Sequence, residues 1–301
     1  MINMKLNELS DKQQNIYRNL EMQVNSFFNR TNEKAFKTRD RYRDGMKDFA
    51  KFLARDYRKE NIKTIKNKHL QAYVNHMQKN KSEYSTSYIT TNMSAIRFFY
   101  ERVSNGKMQI KSNRQLGVTP RTQDERIGLD RSMNNTDYKD LLQTVENQGK
   151  ITYSQILQLA KVFGLRLHES FSLRKSQINK ALRENEIEVK GKGGLIRRIP
   201  IPIEGRVLLE EIKSHSKTGT DRIFINKDGK THKEMKKFQN FIRESKKSGP
   251  SLTYHSLRHT YAQELYRRLM NSSLSELEAR KIVSKRLGHN RIDITNVYLN
   301  R

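Results

Sequence analysis

The stretch ENEIEVKGKGGLIRRIPI, residues 184–201, interrupts a chain whose apolar period is otherwise helical. Two β-branched runs, one around Ile187 and Val189 and one around Ile196 and Ile199, flank the glycine-rich GKGG. Glycines between two such runs give a tight turn the backbone freedom it needs, so the spacing predicts a β-hairpin. RIFIN at 222–226 is a candidate third strand. Around these, apolar residues recur at three and four positions, predicting helices at 136–147, 153–163, 204–215, 233–246, 254–270 and 275–287. The fold class is therefore mainly α with a small antiparallel β-sheet, the sheet lying in a second domain over 133–301.

The first hundred residues read as helices alone. Leu9, Ile16, Leu20, Val24 and Phe27 keep helical spacing, as do Phe36, Tyr42, Met46, Phe49 and Leu53. Leu70, Tyr73, Val74 and Met77 form a shorter set. Ile89, Met93, Ile96, Tyr100 and Val103 follow a Ser85 or Thr86 N-cap. Four amphipathic helices predict a small bundle over 1–110. Lys37, Arg39, Arg41 and Arg43 share the polar face of its second helix. Residues 111–132 have Gly, Pro and charge without a period and read as a basic linker. Lys107, Lys111, Arg114 and Arg121 in and beside it suit a DNA backbone, and a plainly solvated linker is an equal reading.

The chain of 301 residues carries 60 Lys+Arg against 32 Asp+Glu, a formal net charge of +28. Such an excess repels itself unless a polyanion sits beside it, which points to nucleic acid. An AT-rich genome, which favours Lys and Asn, explains some of the lysines but not the missing acids. No apolar run approaches the ~18 residues that span a bilayer, and MINMKLNELSDKQQ lacks the apolar core of a secretory signal. No membrane partner is expected. With no cysteine, disulfides, thiolate zinc sites and a cysteine nucleophile are excluded, and a reducing cytoplasmic setting fits.

Four local patterns could carry chemistry. In VFGLRLHES, Arg166 stands three residues before Glu169, either a surface ion pair or a braced guanidinium aimed at a phosphate. In the hairpin, Lys192 lies between two glycines, and Lys190 is its rival because the turn register is open. LTYHSLRHTYAQELYRRLM, 252–270, puts His255 and Arg258 three apart and His255 and His259 four apart on one helix. Two histidines at that spacing invite zinc, but Ser256 follows His255 where a metalloprotease helix has glutamate, and Arg258 would oppose a cation. No metal site is predicted. Finally, SKRLGHNRIDITNVYLNR places His289 after the helix-stopping Gly288, and Tyr298 nine residues later.

Taken in order, these pieces resemble the tyrosine recombinase (phage integrase) family: Arg166 with Glu169, a lysine in a GKG hairpin, His255-x-x-Arg258, LGH at 287–289, and Tyr298 near the end. The resemblance covers the whole chain, with the strong motifs within about 160–300, and the N-terminal bundle is similar to the family's SAM-like core-binding domain. It implies a C-terminal tyrosine-recombinase catalytic domain and a role as integrase or transposase of a mobile element. It implies Tyr298 as nucleophile, His255 as proton acceptor, Arg166, Arg258 and His289 on the phosphate oxygens, Lys192 as general acid, and Glu169 behind them. By the same resemblance, the reaction passes through a 3′-phosphotyrosyl link and a Holliday junction without metal, cofactor or ATP. Its expected partners are double-stranded DNA with inverted-repeat core sites and further copies of the chain, a dimer per site and a tetramer in all, with accessory DNA-bending proteins allowed. A nucleoid location follows. The competing readings are a type IB topoisomerase-like enzyme and a catalytically inactive DNA-binding protein. Many members continue past the nucleophile with a segment that docks on a neighbouring protomer. Here only Leu299, Asn300 and Arg301 follow, so either the chain is trimmed or coupling uses another element such as the Tyr298 helix.

Overall fold

A computed structural model describes residues 6–80, 82–104, 106, 108–191, 194–215, 221–226, 228–245, 253–289 and 291–300. The chain forms two compact units, Met1–Thr122 and Gln123–Arg301.

The first unit is built on four helices, α1 (Asp11–Arg30), α2 (Phe36–Tyr57), α3 (Asn67–Lys79) and α4 (Thr86–Val103). A reciprocal cap at Ser10 and Gln13 starts α1, satisfying backbone donors that would otherwise lack partners. Leu20, Val24, Phe49, Leu53, Met93 and Ile96 are buried in its core, as the apolar period requires. Gly45 lets α2 approach α4: a Cβ there would lie 2.8 Å from Asn92 Oδ1. Of residues 111–132, Leu116 and Val118 are buried in this same core, because Gln71 and Gln78 side chains on α3 hold the carbonyls of Leu116 and Gly117. These two residues belong to the first unit's core, while 119–131 are mostly exposed.

The second unit begins with α5 (Gln123–Ile127), α6 (Asn135–Asn147) and α7 (Ile151–Phe163), followed by α8 (Leu167–Phe171) and α9 (Lys175–Glu184). The hairpin β1 (Glu186–Lys190) and β2 (Ile196–Pro200) comes next, then α10 (Ile203–Ser214), α11 (Thr231–Glu244), α12 (Tyr254–Met270), α13 (Glu276–Leu287) and α14 (Ile292–Leu299). Buried Ile156, Leu159, Ala160 and Phe163 make α7 the spine, with Leu209, Ile178, Phe238 and Leu257 packed in the same core. A second cluster joins α12, α13 and α14 through Tyr261, Leu265, Val283, Leu287 and Tyr298. Strands β1 and β2 pair antiparallel with Val189 opposite Arg197. The expected third strand does not form. Within 222–226 only Arg222 makes a bridge, to Arg174, and the chain after Arg174 turns at once into α9, so no ladder can propagate. Among the described residues no helix is long and apolar enough to cross a membrane.

Candidate active site

The site forms where α7, α12 and α13 end or begin near one another. Two of these helices stop at left-handed glycines, Gly164 after α7 and Gly288 after α13. Such stops leave the last carbonyls without helical partners, at the negative end of each helix dipole. Arg258, on the buried side of α12, answers both: its two terminal nitrogens donate to the carbonyls of Gly164 and Leu287. Arg258 is fully buried. Burial first, and then Arg166, draw its pKa down to about 10, so it remains a cation at neutral pH.

Arg166 caps the start of α8. Its Nη1 donates to Glu169 Oε1 at 2.9 Å, its backbone N–H to Oε2 at 2.6 Å, and its Nη2 to the Gly288 carbonyl at 3.3 Å. Glu169 is buried, which alone would raise its pKa. Hydrogen bonds and charge from Arg197, then Arg166, outweigh that and hold it down to about 2. Arg197 is the member that sequence reasoning missed. It lies on β2, buried, and meets both Glu169 oxygens at 2.7 Å. Strand alternation was the available signal: with Ile199 inward, Arg197 must also point inward and Ile196 outward. Among the described residues Glu169 is the one carboxylate in ion-pair reach of Arg166 and Arg197, and Arg258 pairs with backbone carbonyls instead of an acid. Three cations against one anion leave two positive charges uncompensated, which is a demand for an anionic ligand.

Tyr298 comes to this cluster on α14. Its Oη lies 3.2 Å from His255 Nε2. The His259 ring stacks on the phenol at 4.4 Å and 17°, and the His289 ring leans on it at 4.8 Å. Arg258 lies 5.6 Å from the ring centre. Gln263 Nε2 donates to the Tyr298 carbonyl at 3.4 Å and holds the backbone. Partial burial, then Arg258, Arg131 and Arg166, lower the His255 pKa to about 4, although the residue is exposed to solvent. Burial and His255 lower His259 to about 4; burial and Arg258 lower His289 to about 3. All three imidazoles are therefore neutral at pH 7, and a neutral imidazole can accept a proton.

Arg166, Glu169, His255, Arg258, His289 and Tyr298 are thus brought together in one unit. Lys192 lies outside the described residues. Lys190 ends β1 with an exposed side chain, and Gly191 beside it faces the Arg166–Glu169 pair: a Cβ there would stand 3.3 Å from Glu169 Oε1. In the first unit Lys37 is exposed, whereas Arg39 donates to the Thr31 carbonyl at 2.5 Å. Arg41 lies over the Tyr88 ring at 5.0 Å, and Arg43 lies 3.9 Å from Asp40. Lys111, Arg114 and Arg121 are exposed, and Lys107 lies outside the described residues.

A family model described as the phage integrase family matches residues 131–301, and one described as the phage integrase N-terminal SAM-like domain matches 22–110. Among solved structures, XerH site-specific recombinase bound to palindromic difH substrate in a post-cleavage complex is similar, with 16% identity, a TM-score of 0.62, and 98% of this chain and 89% of that chain covered. A lambda integrase dimer bound to a COC′ core site gives 18% identity, a TM-score of 0.61 and coverage of 94% and 76%. The Tn1549 transposon integrase in complex with transposon right end DNA gives 14% identity, a TM-score of 0.57 and coverage of 94% and 94%. At such identities the likeness speaks to the fold. A comparison with curated protein sequences gives no significant match.

Proposed function

The chain belongs to the phage integrase (tyrosine recombinase) family, and from that premise we propose that it is a site-specific DNA recombinase whose nucleophile is Tyr298. The observation that carries the residue assignment is the 3.2 Å approach of Tyr298 Oη to Nε2 of a neutral His255, beside three guanidiniums that a single carboxylate only partly balances. Tyr298 Oη attacks the scissile phosphorus while its proton passes to His255 Nε2. Negative charge grows on the nonbridging oxygens, where Arg166 and Arg258 offer fixed donors and His289 one more. The bond from phosphorus to the 5′-oxygen breaks, and that oxygen takes a proton from the hairpin lysine, Lys192 or Lys190. The product is a 3′-phosphotyrosyl link and a free 5′-hydroxyl.

Because the link conserves the energy of the broken bond, the 5′-hydroxyl of a partner strand reverses the step without ATP. Guanidiniums carry the charge stabilisation that other phosphoryl-transfer sites assign to a divalent ion. Strand exchange through a Holliday junction requires two duplexes, so the working assembly is a tetramer, a dimer on each inverted-repeat site. The protein acts on nucleoid DNA in the cytoplasm, in integration, excision or resolution. Lys37, Arg41, Lys111, Arg114 and Arg121 contribute phosphate contacts that position the duplex.

A nicked suicide substrate tests this reading. It should trap a covalent protein–DNA species in the wild type, with or without EDTA, and none with Tyr298→Phe. Trapping that survives Tyr298→Phe refutes the nucleophile. Relaxation of plasmids that lack an inverted-repeat site would instead identify a type IB topoisomerase activity.

A further inference from the structure

We infer that Arg197 is a positioning residue for strand cleavage: its guanidinium fixes Glu169, and through Glu169 the phosphate-facing Arg166, against the last turn of α13. The inference rests on the recombinase reading above.

Its first support is where the sequence places the charge. Arg197 is 6% exposed while the neighbouring Ile196 is 56% exposed. An apolar side chain inside and a charged one outside would serve the fold at lower desolvation cost, so the opposite arrangement calls for a partner that needs the cation. That partner is Glu169, met by a two-pronged contact at 2.7 Å on each oxygen.

The second support is how the donors are used. Arg197 Nη1 and Nη2 face Glu169, and Nε donates to the Arg286 carbonyl at 2.8 Å. A guanidinium committed in this way is poorly placed to grip a DNA phosphate itself. What it does is share Glu169. Glu169 Oε1 accepts from both Arg197 and Arg166, and Oε2 from Arg197 and the Arg166 backbone. Without Arg197, Glu169 would be neutralised by Arg166 alone, which would draw that guanidinium away from the phosphate.

The third support is the end of α13. Three consecutive carbonyls there each accept from a different guanidinium: Arg286 from Arg197, Leu287 from Arg258, and Gly288 from Arg166. The helix end that leads directly into His289 thus sets the spacing of all three arginines. Gly288 is left-handed at φ 65°, which favours glycine, and a Cβ on it would stand 3.0 Å from Arg197 Cδ and crowd Arg197 at this turn.

The test compares Arg197→Met and Arg197→Lys with wild type, and with Arg198→Met as the control for charge. Arg198 is the outward neighbour, 62% exposed and 3.6 Å from Glu188. Single-turnover cleavage of a suicide substrate is normalised to folded protein, and DNA affinity is measured alongside. Arg197→Met should slow cleavage about 10²-fold, the cost of displacing a reacting group by about 1 Å, with affinity changed less than about twofold. Arg197→Lys keeps the cation and loses the second prong, so it should fall between wild type and Arg197→Met and serves as the folded comparison. Arg198→Met should match wild type.

Ionisation of Glu169, followed by carboxyl carbon NMR, gives a readout independent of cleavage. The groups facing that carboxylate are Arg166, Arg197 on β2, Tyr254 on α12 and His168 on its own helix. Either variant should raise the Glu169 pKa and add an acid fall to the cleavage profile. Unchanged Glu169 ionisation, or a variant that only melts earlier while its cleavage rate and pH profile match wild type, overturns the inference. A wild type that traps no adduct would count against the recombinase reading, while the NMR titration would still decide the role of Arg197.

Discussion

Gly164→Ala should destabilise the second unit by roughly 2–5 kcal/mol and slow cleavage through Arg258. Gly164 sits at φ 61° and ψ 32°, a left-handed conformation that costs a residue with a Cβ about 1–2 kcal/mol. A Cβ there would also stand 2.3 Å from Cδ1 and 2.7 Å from Cε1 of Tyr261. That ring is 3% exposed and packed in the cluster with Leu265 and Leu287, so it has little room to retreat. Overpacking of this kind adds about 1–3 kcal/mol. Against a typical domain stability of about 5–15 kcal/mol the variant still folds. The Gly164 carbonyl is one of two that hold Arg258, so a shifted backbone moves the guanidinium as well. A displacement near 1 Å predicts a cleavage loss of about 10²-fold. Urea unfolding gives the first number and single-turnover cleavage the second. Adding Tyr261→Leu should recover the overpacking part but not the backbone part, appearing as a coupling in a double-mutant cycle. A stability change below about 0.5 kcal/mol, or strict additivity with Tyr261→Leu, refutes the reasoning.

Arg258→Lys should reduce cleavage at least about 10²-fold while DNA binding is retained, because one ammonium cannot span the Gly164 and Leu287 carbonyls and still face a phosphate; near-normal single-turnover rates would contradict it. Acid should weaken the second unit. His259 is neutral in the fold with a pKa of about 4, while in the unfolded chain it titrates near the ordinary imidazole value of about 6.5. The unfolded state therefore binds more protons between those values. The stability present above about pH 6.5 is lost as pH falls toward 4, by up to about 3 kcal/mol for this ring. His259→Phe keeps a ring on Tyr298 without the titrating nitrogen and should flatten that dependence in urea melts; an unchanged slope would contradict it. DNA affinity should fall by about 10³-fold or more between low and moderate salt if several phosphates are neutralised, and a flat dependence on log salt would sink the electrostatic account of binding.

Legibility followed locality. Arg166 with Glu169 and His255 with Arg258 each lie three residues apart, within one helical turn, so spacing alone exposed them as pairs. The apolar period gave the long helices for the same reason. Arg197 was hidden because its role depends on a partner 28 residues away and on a strand register in which Ile196 looks like the better inward residue. Helix α9 is short, and Ile178, Ala181 and Leu182 are its only apolar positions, so its period spans barely one turn before the hairpin begins. The RIFIN run has strand composition, but composition does not supply a neighbour, and Arg174 turns into a helix. In the same way Leu116 and Val118 look like linker residues until α3 is there to receive them. The stacking of His259 on Tyr298 joins positions 39 apart in sequence and required the tertiary fold.

The central claim is that the Tyr298 oxygen becomes bonded to DNA phosphorus. Its most direct measurement is mass spectrometry of the trapped adduct after nuclease and trypsin digestion. The account predicts a nucleotide remnant on the peptide Ile292–Arg301, carried by Tyr298. A remnant on any other peptide, or on no residue despite strand cleavage, would contradict it.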